Sequence, residues 1–454
     1  MSNINTTTSE KITARHVLAI AIPMILATIS IPFLGLVDTT IAGHLDNANY
    51  LSAVEIGDTI FTFIYMLFSF LRLTVTGLTA QANGKQLKEE FFIILTQGLL
   101  FSLSLGCLLT LIPDQLLKKL LGLISTETVI QQLTFDYLNI RLLSAPAVLG
   151  NLVISAFLLG IKRAKLSMYL LLFINISAII LDVIFTCYLG MGINGLAYAI
   201  VIGQYMGFIF GIILILQVLN TRLFEILFNL SNYFEGISKF IRINNNLFIR
   251  SGCFIIVYGI FLTTSAKFGA FILAANSILL AFYSFISLGL EGFSNATEVL
   301  VGNAVGKNKS YLFYQSIFAS LRCAFLGALG ITLIYVLGGH FIINLITNIP
   351  SVRLLSSQYL IWISILPLIC VWCYLLDAIF LGMLRVKAMR NSLVIATFIF
   401  FVPIWFITKS LGNNGLWLSL VSFFIARILV LVIDLISKPF ANHFVVKEQL
   451  DSSG

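Results

Sequence analysis

The feature that most constrains this chain is a series of apolar stretches, each long enough to cross a lipid bilayer as one helix. A helix needs about 20 apolar residues to span roughly 30 Å of hydrocarbon. The stretches cover 17–41, 51–72, 91–112, 138–161, 166–189, 195–218, 248–268, 272–300, 312–337, 358–384, 391–408 and 415–437. The sequence therefore predicts an all-α polytopic membrane protein with about twelve transmembrane helices.

The amino-acid composition agrees with a membrane protein and argues against several functions. Hydrophobic residues make up 59% of the chain and charged residues only 10%, far from the usage of soluble globular proteins. Neither the phosphate-binding motif G-x-x-x-x-G-K-[ST] nor a soluble nucleotide domain is found, which argues against ATP-driven pumping. The sequence shows no catalytic constellation and no metal-ligand pattern, so it does not indicate an enzyme.

The Lys and Arg residues orient the predicted helices, because short cytoplasmic loops accumulate these residues. With the N-terminus inside, 18 of the 27 Lys and Arg residues fall in cytoplasmic segments and five in outer segments. Both termini are therefore predicted to lie in the cytoplasm. This asymmetry accounts for the net charge of +8, which needs no nucleic-acid partner to explain it.

An internal repeat appears when the chain is aligned with itself at an offset of 222 positions. Several uncommon pairs coincide at this offset: Gly84-Lys85 with Gly306-Lys307, Tyr137-Leu138 with Tyr359-Leu360, and Leu159-Gly160 with Leu381-Gly382. Each copy contains six predicted helices, an even number, so the two copies enter the membrane in the same orientation. Parallel repeats of this kind are typical of transporters that rock one half against the other.

The repeat divides the chain into two predicted lobes. The predicted parts are a cytoplasmic N-terminal segment (1–16), an N-lobe (17–218), a cytoplasmic linker (219–247), a C-lobe (248–437) and a cytoplasmic tail (438–454). The linker is assigned from its amphipathic spacing, which suits a segment lying on the membrane surface. Because the duplication lies within one chain, we expect a monomer to suffice for function.

One carboxylate stands out in the first apolar stretch. Asp38 lies near its far end, directly after the apolar run from Ala19 to Val37. An ionised side chain in mid-helix costs roughly 2.5–3.5 kcal/mol even on insertion scales, so such an acid usually faces the protein interior and handles protons, ions or substrate. A hydrogen-bonded and inert acid near the helix end is the alternative, and the sequence leaves it open.

Several segments carry a family resemblance. The sequence GLVDTTIAGHL at 35–45, followed by LSAV at 51–54, resembles the first-helix signature of the multidrug and toxic compound extrusion (MATE) transporters. The segment 70–84 resembles the second-helix motif of the DinF-type branch of this family. Further motifs of the same branch lie at 274–279, 376–382, 389–392 and 412–417. The resemblance extends from about residue 17 to residue 427 and so covers both predicted lobes.

The resemblance implies a MATE-like pair of six-helix bundles that exports compounds by alternating access. The expected substrates are small lipophilic or cationic compounds, exchanged for protons or sodium ions, with no cofactor beyond the coupling ion. The expected partners are these substrates and the lipid bilayer. The DinF-type branch implies a bacterial inner membrane.

The resemblance also assigns the coupling residues. Asp38 matches the family's coupling acid and Asp182 its second N-lobe carboxylate, on the fifth predicted helix. Both acids lie in the outer half of helices that run outward, so they are expected to share one cavity. Two nearby carboxylates repel each other when both are ionised, which favours proton uptake by one of them. An inert capping role stays open for Asp182 as well.

The chain departs from the family pattern around this predicted pair. Relatives commonly carry Asn, Thr and Gln where this chain has Ala178, Ile200 and Ser155. Asn175, near the same helix face as the second acid, and Gln204 are the polar candidates that remain to support the pair, together with the Ser155 hydroxyl. Because sodium prefers several oxygen ligands, this loss of neutral oxygens favours protons over sodium as the coupling ion.

The predicted C-lobe carries its own acids. Glu291 and Glu298 are seven residues apart and share a helix face, and Asp377 lies inside the tenth predicted helix. The resemblance makes them candidates for a cation or substrate site, although Glu298, near the cytoplasmic end, could equally be solvated or paired with an Arg. Asp434 and Arg427, also seven apart, are expected to pair or to extend toward the interface.

Glu55 and Asp58 open the second predicted helix, where carboxylates favour the helix N-terminus, and a structural role is expected for both.

Three functions from different classes remain. The favoured one is a gradient-driven multidrug efflux antiporter. The second is a lipid-linked precursor flippase of the related superfamily, although such flippases usually have extra helices and a strongly cationic cavity. A channel or a membrane enzyme comes last, because a channel gives Asp38 no need to exchange its proton during turnover.

Overall fold

The computed structural model describes residues 11–44, 48–124, 127–220 and 236–438. The first half contains α1 (Ala14–Gly43), α2 (Ala48–Phe68), α3 (Phe70–Lys85), α4 (Lys88–Thr110), α5 (Asp114–Ile124), α6 (Thr128–Leu142), α7 (Ala145–Gly160), α8 (Ala164–Asp182) and α9 (Gly192–Leu219). The second half contains α10 (Ile237–Lys267), α11 (Ala270–Gly306), α12 (Ser310–Ile346), α13 (Pro350–Gly382), α14 (Val386–Ile395), α15 (Val402–Ile407) and α16 (Asn413–Ser437). Two π-helical segments, Val183–Tyr188 and Ala396–Phe401, and a 3₁₀ turn, Lys409–Leu411, connect some of these helices.

The predicted all-α membrane fold is confirmed. Eleven helical segments of the described chain are long and apolar enough to cross a bilayer. A twelfth span is obtained when α6 and α7, which meet at a 51° bend, are taken together as one broken helix. Pro146 lies in the first turn of α7, where a proline fits because its missing N–H has no helical partner there.

The internal repeat is also visible in the backbone. Positive φ, which non-glycine residues rarely adopt, recurs at the same interval in both halves. The pairs 222 residues apart are Gln86 (φ 61°) with Asn308 (φ 55°), Lys162 (φ 63°) with Leu384 (φ 58°), and Gly190 (φ 64°) with Gly412 (φ 57°). These residues follow the ends of corresponding helices, so the turns as well as the helices are duplicated.

The chain forms two compact units. The N-unit consists of 23–79 and 87–260. The C-unit consists of the described residues up to Ile22, the short segment Ala80–Gln86, and the described chain from Phe261 onward. The predicted lobe limits, 17–218 and 248–437, rest on the sequence alone and stay a prediction.

Two repeat-related helices are each divided between the two units, α1 after Ile22 and α10 after Ile260. The beginning of α1 belongs to the C-unit, where the Ile12 backbone N–H donates to Gln315 Oε1 at 3.0 Å. The beginning of α10 belongs to the N-unit, where Thr74 Oγ1 donates to Asn244 Oδ1 at 2.7 Å. Much of the predicted linker 219–247 lies outside the described residues, but its last part, from Ile237, is already helical.

Two repeat-related glycines pack against each other within the C-unit. A Cβ atom added to Gly84 would lie 2.8 Å from Gly306 Cα, and one added to Gly306 would lie 2.9 Å from Gly84 Cα. Nearby, Gln81 Nε2 donates to the Gly382 carbonyl at 2.7 Å. The backbones of α3 and α11 therefore approach so closely at this crossing that no side chain fits between them.

We expect Gly84→Ala and Gly306→Ala each to destabilise the protein by about 1–3 kcal/mol, because the added methyl group meets backbone that cannot move aside cheaply. The measurement is the unfolding midpoint of the purified protein in detergent. Gly330→Ala on α12 is the matched control, since a Cβ there has open space around it. Equal midpoints for all three variants would contradict the close crossing.

Candidate functional site

Two acids meet inside the N-unit. Asp38 comes from the last turns of α1 and is 3% exposed, and Asp182 is the final residue of α8 and is fully buried. Their carboxyl groups are close enough to interact with each other. The two acids that the sequence singles out in the first half therefore form one pair.

The oxygens of this pair receive few hydrogen bonds. Asp38 Oδ1 and both carboxyl oxygens of Asp182 are buried and accept none from the donors of the described chain. Two carboxylates are both acceptors, so they bond each other only when one of them carries a proton. A buried carboxyl pair of this kind is suited to taking up and releasing a proton.

The backbone changes its pitch at this position. Directly after Asp182, the helix continues as the π-helical segment Val183–Tyr188. Single π-helical turns inside α-helices occur frequently at functional sites, because the wider turn alters which way the neighbouring side chains point.

A third charged residue, Arg141 on α6, lies beside the acid pair. It is close enough to interact electrostatically with both Asp38 and Asp182. Its guanidinium forms an ion pair with Asp58 on α2 and stands 4.6 Å from the centre of the Phe61 ring. Its Nε atom is buried and has no hydrogen-bond partner among the described residues.

Tyr137 bridges Arg141 and Asp58, the two members of this ion pair. Its hydroxyl accepts a hydrogen bond from Arg141 at 2.5 Å and donates one to Asp58 Oδ1 at 2.9 Å. Tyr137 and Arg141 are four residues apart on α6 and so lie on the same face of that helix. Asp58 and Phe61 are three apart on α2 and present the matching face.

The sequence reasoning missed this arrangement. It expected a structural role at a helix N-terminus for Asp58, and it did not connect Arg141 with the acid pair. The signal was present, because a buried Arg in an apolar segment normally pairs with a carboxylate and marks a functional region. The sequence did not identify Asp58 as the partner because α2 and α6 lie far apart along the chain.

The three neutral side chains predicted to support the pair bond to other residues. The Asn175 amide donates to Ser30 Oγ at 2.6 Å, which links α8 to α1. The Ser155 hydroxyl is bonded to the Ser167 hydroxyl at 2.7 Å. Gln204 Oε1 accepts from Asn151 Nδ2 at 3.0 Å. A supporting role for these three side chains stays a prediction.

The C-unit contains a second ion pair, which is fully buried. Arg427 on α16 is 2% exposed and donates from Nη2 to Asp377 Oδ2 on α13 at 2.6 Å. The expectation that Arg427 pairs with Asp434 is therefore wrong. Asp434 instead forms an ion pair with Arg385. In the folded chain, α13 is opposite Arg427, whereas Asp434, seven positions along α16, faces the turn between α13 and α14.

Aromatic residues surround this second pair. The Arg427 guanidinium lies 5.6 Å from the Phe423 ring centre and 5.9 Å from that of Phe424. Tyr374 donates to Ser287 Oγ at 2.9 Å. The charge of Asp377, one of the predicted cation ligands, is thus compensated by an internal guanidinium within an aromatic shell.

The two other predicted C-lobe acids lie on α11. Glu291 is half-buried and close enough to Tyr374 to interact with it electrostatically. Glu298 is only 1% exposed, so the alternative of a solvated side chain is wrong. Within the described residues, no group of three or more His, Cys, Asp or Glu side chains is placed to hold a metal ion.

Known proteins resemble this chain along most of its length. The MatE family model matches residues 23–184 and 247–407. DNA damage-inducible protein F of Escherichia coli (strain K12) is 35% identical over 408 residues, which cover 90% of this chain and 89% of that protein. A probable multidrug resistance protein NorM of Photorhabdus laumondii is 25% identical over 450 residues, covering 92% and 94% of the two chains.

Solved structures share the fold. A MOP superfamily transporter from Pyrococcus furiosus has a TM-score of 0.83 at 19% identity, covering 94% of this chain and 97% of that one. An outward-facing multidrug resistance MATE family transporter also has a TM-score of 0.83 at 19% identity, covering 92% and 94%. With a family match in both halves and a relative at 35% identity along nine-tenths of its length, the chain belongs to the MatE family of multidrug and toxic compound extrusion transporters.

Proposed function

We propose that this protein is a secondary active antiporter that exports small lipophilic or cationic compounds in exchange for protons. Asp38 and Asp182 carry the coupling protons, and transport proceeds by alternating access. The observation that carries the proposal is the buried carboxyl pair, whose oxygens mostly lack hydrogen-bond donors.

A bound proton gives the pair a hydrogen-bond donor, which the described residues do not supply to most of its oxygens. A buried carboxylate without donors is costly, and two side by side repel each other, so the pair is stabilised when one acid holds a proton. Binding of a cationic substrate nearby compensates the negative charge in the same way. Proton and substrate thus compete for one negative site, which is the basis of exchange.

Two observations support protons over sodium. The Ser155 hydroxyl and Gln204 Oε1 are hydrogen-bonded to other residues, and the Asn175 amide nitrogen is bonded to Ser30, so none of the three side chains is directed solely at the acid pair as a sodium ligand. Arg141 also places a permanent positive charge beside the pair. A sodium ion bound between the two carboxyl groups would keep its full charge beside the guanidinium, whereas a proton is absorbed into a carboxyl group and forms no separate charge.

The C-unit acids contribute differently in this proposal. The carboxylate of Asp377 is engaged by Arg427, so Glu291 is the better candidate for contact with a cationic substrate. Glu298 stays a third candidate. The proposal includes a bacterial inner-membrane location with both termini in the cytoplasm, and a functional monomer.

The test is transport by the purified protein in liposomes. We expect an imposed pH gradient to drive movement of a cationic dye with sodium absent, and Asp38→Asn to abolish this movement. Asp114→Asn, an exposed acid at the start of α5, is the matched control and is expected to transport like the wild type.

The alternatives predict different results. Dye movement that needs a sodium gradient in the wild type would replace protons by sodium as the coupling ion. If neither gradient moves any dye tested, the antiporter proposal fails and a lipid-linked precursor flippase becomes the first alternative.

A further inference from the structure

The ion pair between Arg141 and Asp58 has no evident structural purpose. At the corresponding positions of the second half, 222 residues further along, the chain has Ile363 and Leu280, both buried. The duplicated scaffold therefore packs with two aliphatic side chains where the first half carries an ion pair. An ion pair that is partly exposed, as this one is, contributes little to stability, so the pair requires a reason other than stability.

The geometry around Arg141 is that of a cation shared between two groups of acids. On one side it holds Asp58, with Tyr137 bridging the two. On the other side it interacts with Asp38 and Asp182, and its Nε atom still has a hydrogen bond to give. Asp182 in turn has two buried oxygens that accept no hydrogen bond.

Few other titratable side chains of the described chain lie near Arg141 and the acid pair. Besides the three acids, Tyr137 on α6 and Tyr65 on α2 interact within the cluster. Tyr50 on α2 is half-buried and packs against the hydrophobic cluster that contains Tyr137. The remaining titratable side chains at these helix ends are exposed or bonded to other groups. Glu55 is exposed, His44 bonds to the Thr40 carbonyl, and Asp136 accepts from Gln132; Tyr198 and Tyr205 on the neighbouring α9 are exposed.

We propose that Arg141 is a positioning residue for proton coupling: an internal counter-cation, held back by Asp58, that sets the pH at which the pair of Asp38 and Asp182 exchanges its proton. This inference rests on the proposed antiport through that pair.

The mechanism needs the movement of one side chain only, that of Arg141. While the acid pair holds its proton, Arg141 stays with Asp58. When the pair releases the proton to solvent, the new carboxylate attracts the guanidinium, and the Nε–H and neighbouring N–H groups turn toward it. Asp58 competes with this movement, so it prevents Arg141 from binding the pair permanently.

The experiment measures dye exchange in liposomes at equal pH on both sides, from pH 5 to pH 9, and compares the pH of half-maximal rate. Without the cation, the pair holds its proton more tightly, so Arg141→Gln is expected to shift the half-maximal pH upward by about one unit. Without its tether, Arg141 binds the pair more closely, so Asp58→Asn is expected to shift it downward by a similar amount, about one unit.

A residue that merely supports the fold would not produce shifts of opposite sign. Arg141→Lys keeps the charge and is expected to stay close to the wild-type half-maximal pH. The ion pair of Arg385 and Asp434 is comparably exposed and provides matched controls. Arg385→Gln and Asp434→Asn are expected to leave the half-maximal pH unchanged.

The outcomes separate this inference from the proposed function. A wild type that shows no pH-driven transport contradicts the antiporter proposal itself. A wild type that transports, with both variants active at the wild-type half-maximal pH or shifted in the same direction, overturns the role of Arg141. If Arg141→Gln does not fold, Asp58→Asn decides alone: a downward shift supports the inference, and an unchanged pH overturns it.

Discussion

Asp38→Asn, Asp182→Asn and the double variant are all expected to lose proton-driven transport to the same low level, below about 1% of the wild-type rate. The two buried carboxyl groups interact with each other, so we expect the pair, and not one acid alone, to hold the proton. Residues that act as a unit show strongly non-additive losses. The measurement is the initial rate of pH-driven dye transport in liposomes.

The non-additivity separates a pair from two independent acids. Independent acids would make the double variant worse than either single variant by the product of the two losses. If Asp182→Asn kept more than half of the wild-type rate while Asp38→Asn lost it, Asp38 alone would carry the proton. An unfolding midpoint close to that of the wild type shows that each variant is folded, which is expected because asparagine has nearly the same shape as aspartate.

The second large effect is expected at the buried ion pair of the C-unit. Arg427→Met and Asp377→Leu are each expected to destabilise the protein by about 3–5 kcal/mol, because each leaves an uncompensated charge in an apolar interior. The double variant Arg427→Met/Asp377→Leu is expected to recover most of this loss, since no buried charge remains. The measurement is the unfolding midpoint of each purified variant in detergent.

The matched control is again the pair of Arg385 and Asp434, whose side chains are 19% and 23% exposed. Replacing either Arg385 or Asp434 is expected to lower the free energy of unfolding by less, at most about 1 kcal/mol, because water can solvate the remaining charge. A double variant at the buried pair that is as unstable as the single variants would contradict the argument. It would show that the aromatic shell itself depends on the guanidinium.

Much of the fold could be predicted from the sequence because a bilayer leaves a chain few choices. Backbone groups in hydrocarbon must be bonded within the segment, so an apolar stretch of sufficient length forms a helix whatever surrounds it. The internal repeat could also be predicted from the sequence. Lys162 and Leu384 differ completely as side chains, yet both adopt positive φ, because the duplication preserved the turn.

The candidate site could be predicted only in part. Asp38 and Asp182 stand out because an acid is rare in an apolar segment, and their positions along two helices indicate the same depth. Arg141 and Asp58 do not stand out in the same way, because each lies near a predicted helix end where charges are common. The match between them depends on how α2 packs against α6.

The sequence by itself determined that this chain is a duplicated bundle of membrane helices with acids in its interior, because hydrophobic length and helical period act locally along the chain. Only the tertiary structure decided which charges meet. Arg427 binds Asp377 across two helices and not Asp434 on its own helix, and Arg141 lies between Asp58 and the acid pair. Likewise, α1 and α10 are each divided between the C-unit and the N-unit. These choices depend on packing between segments far apart in the sequence, for which no local pattern exists.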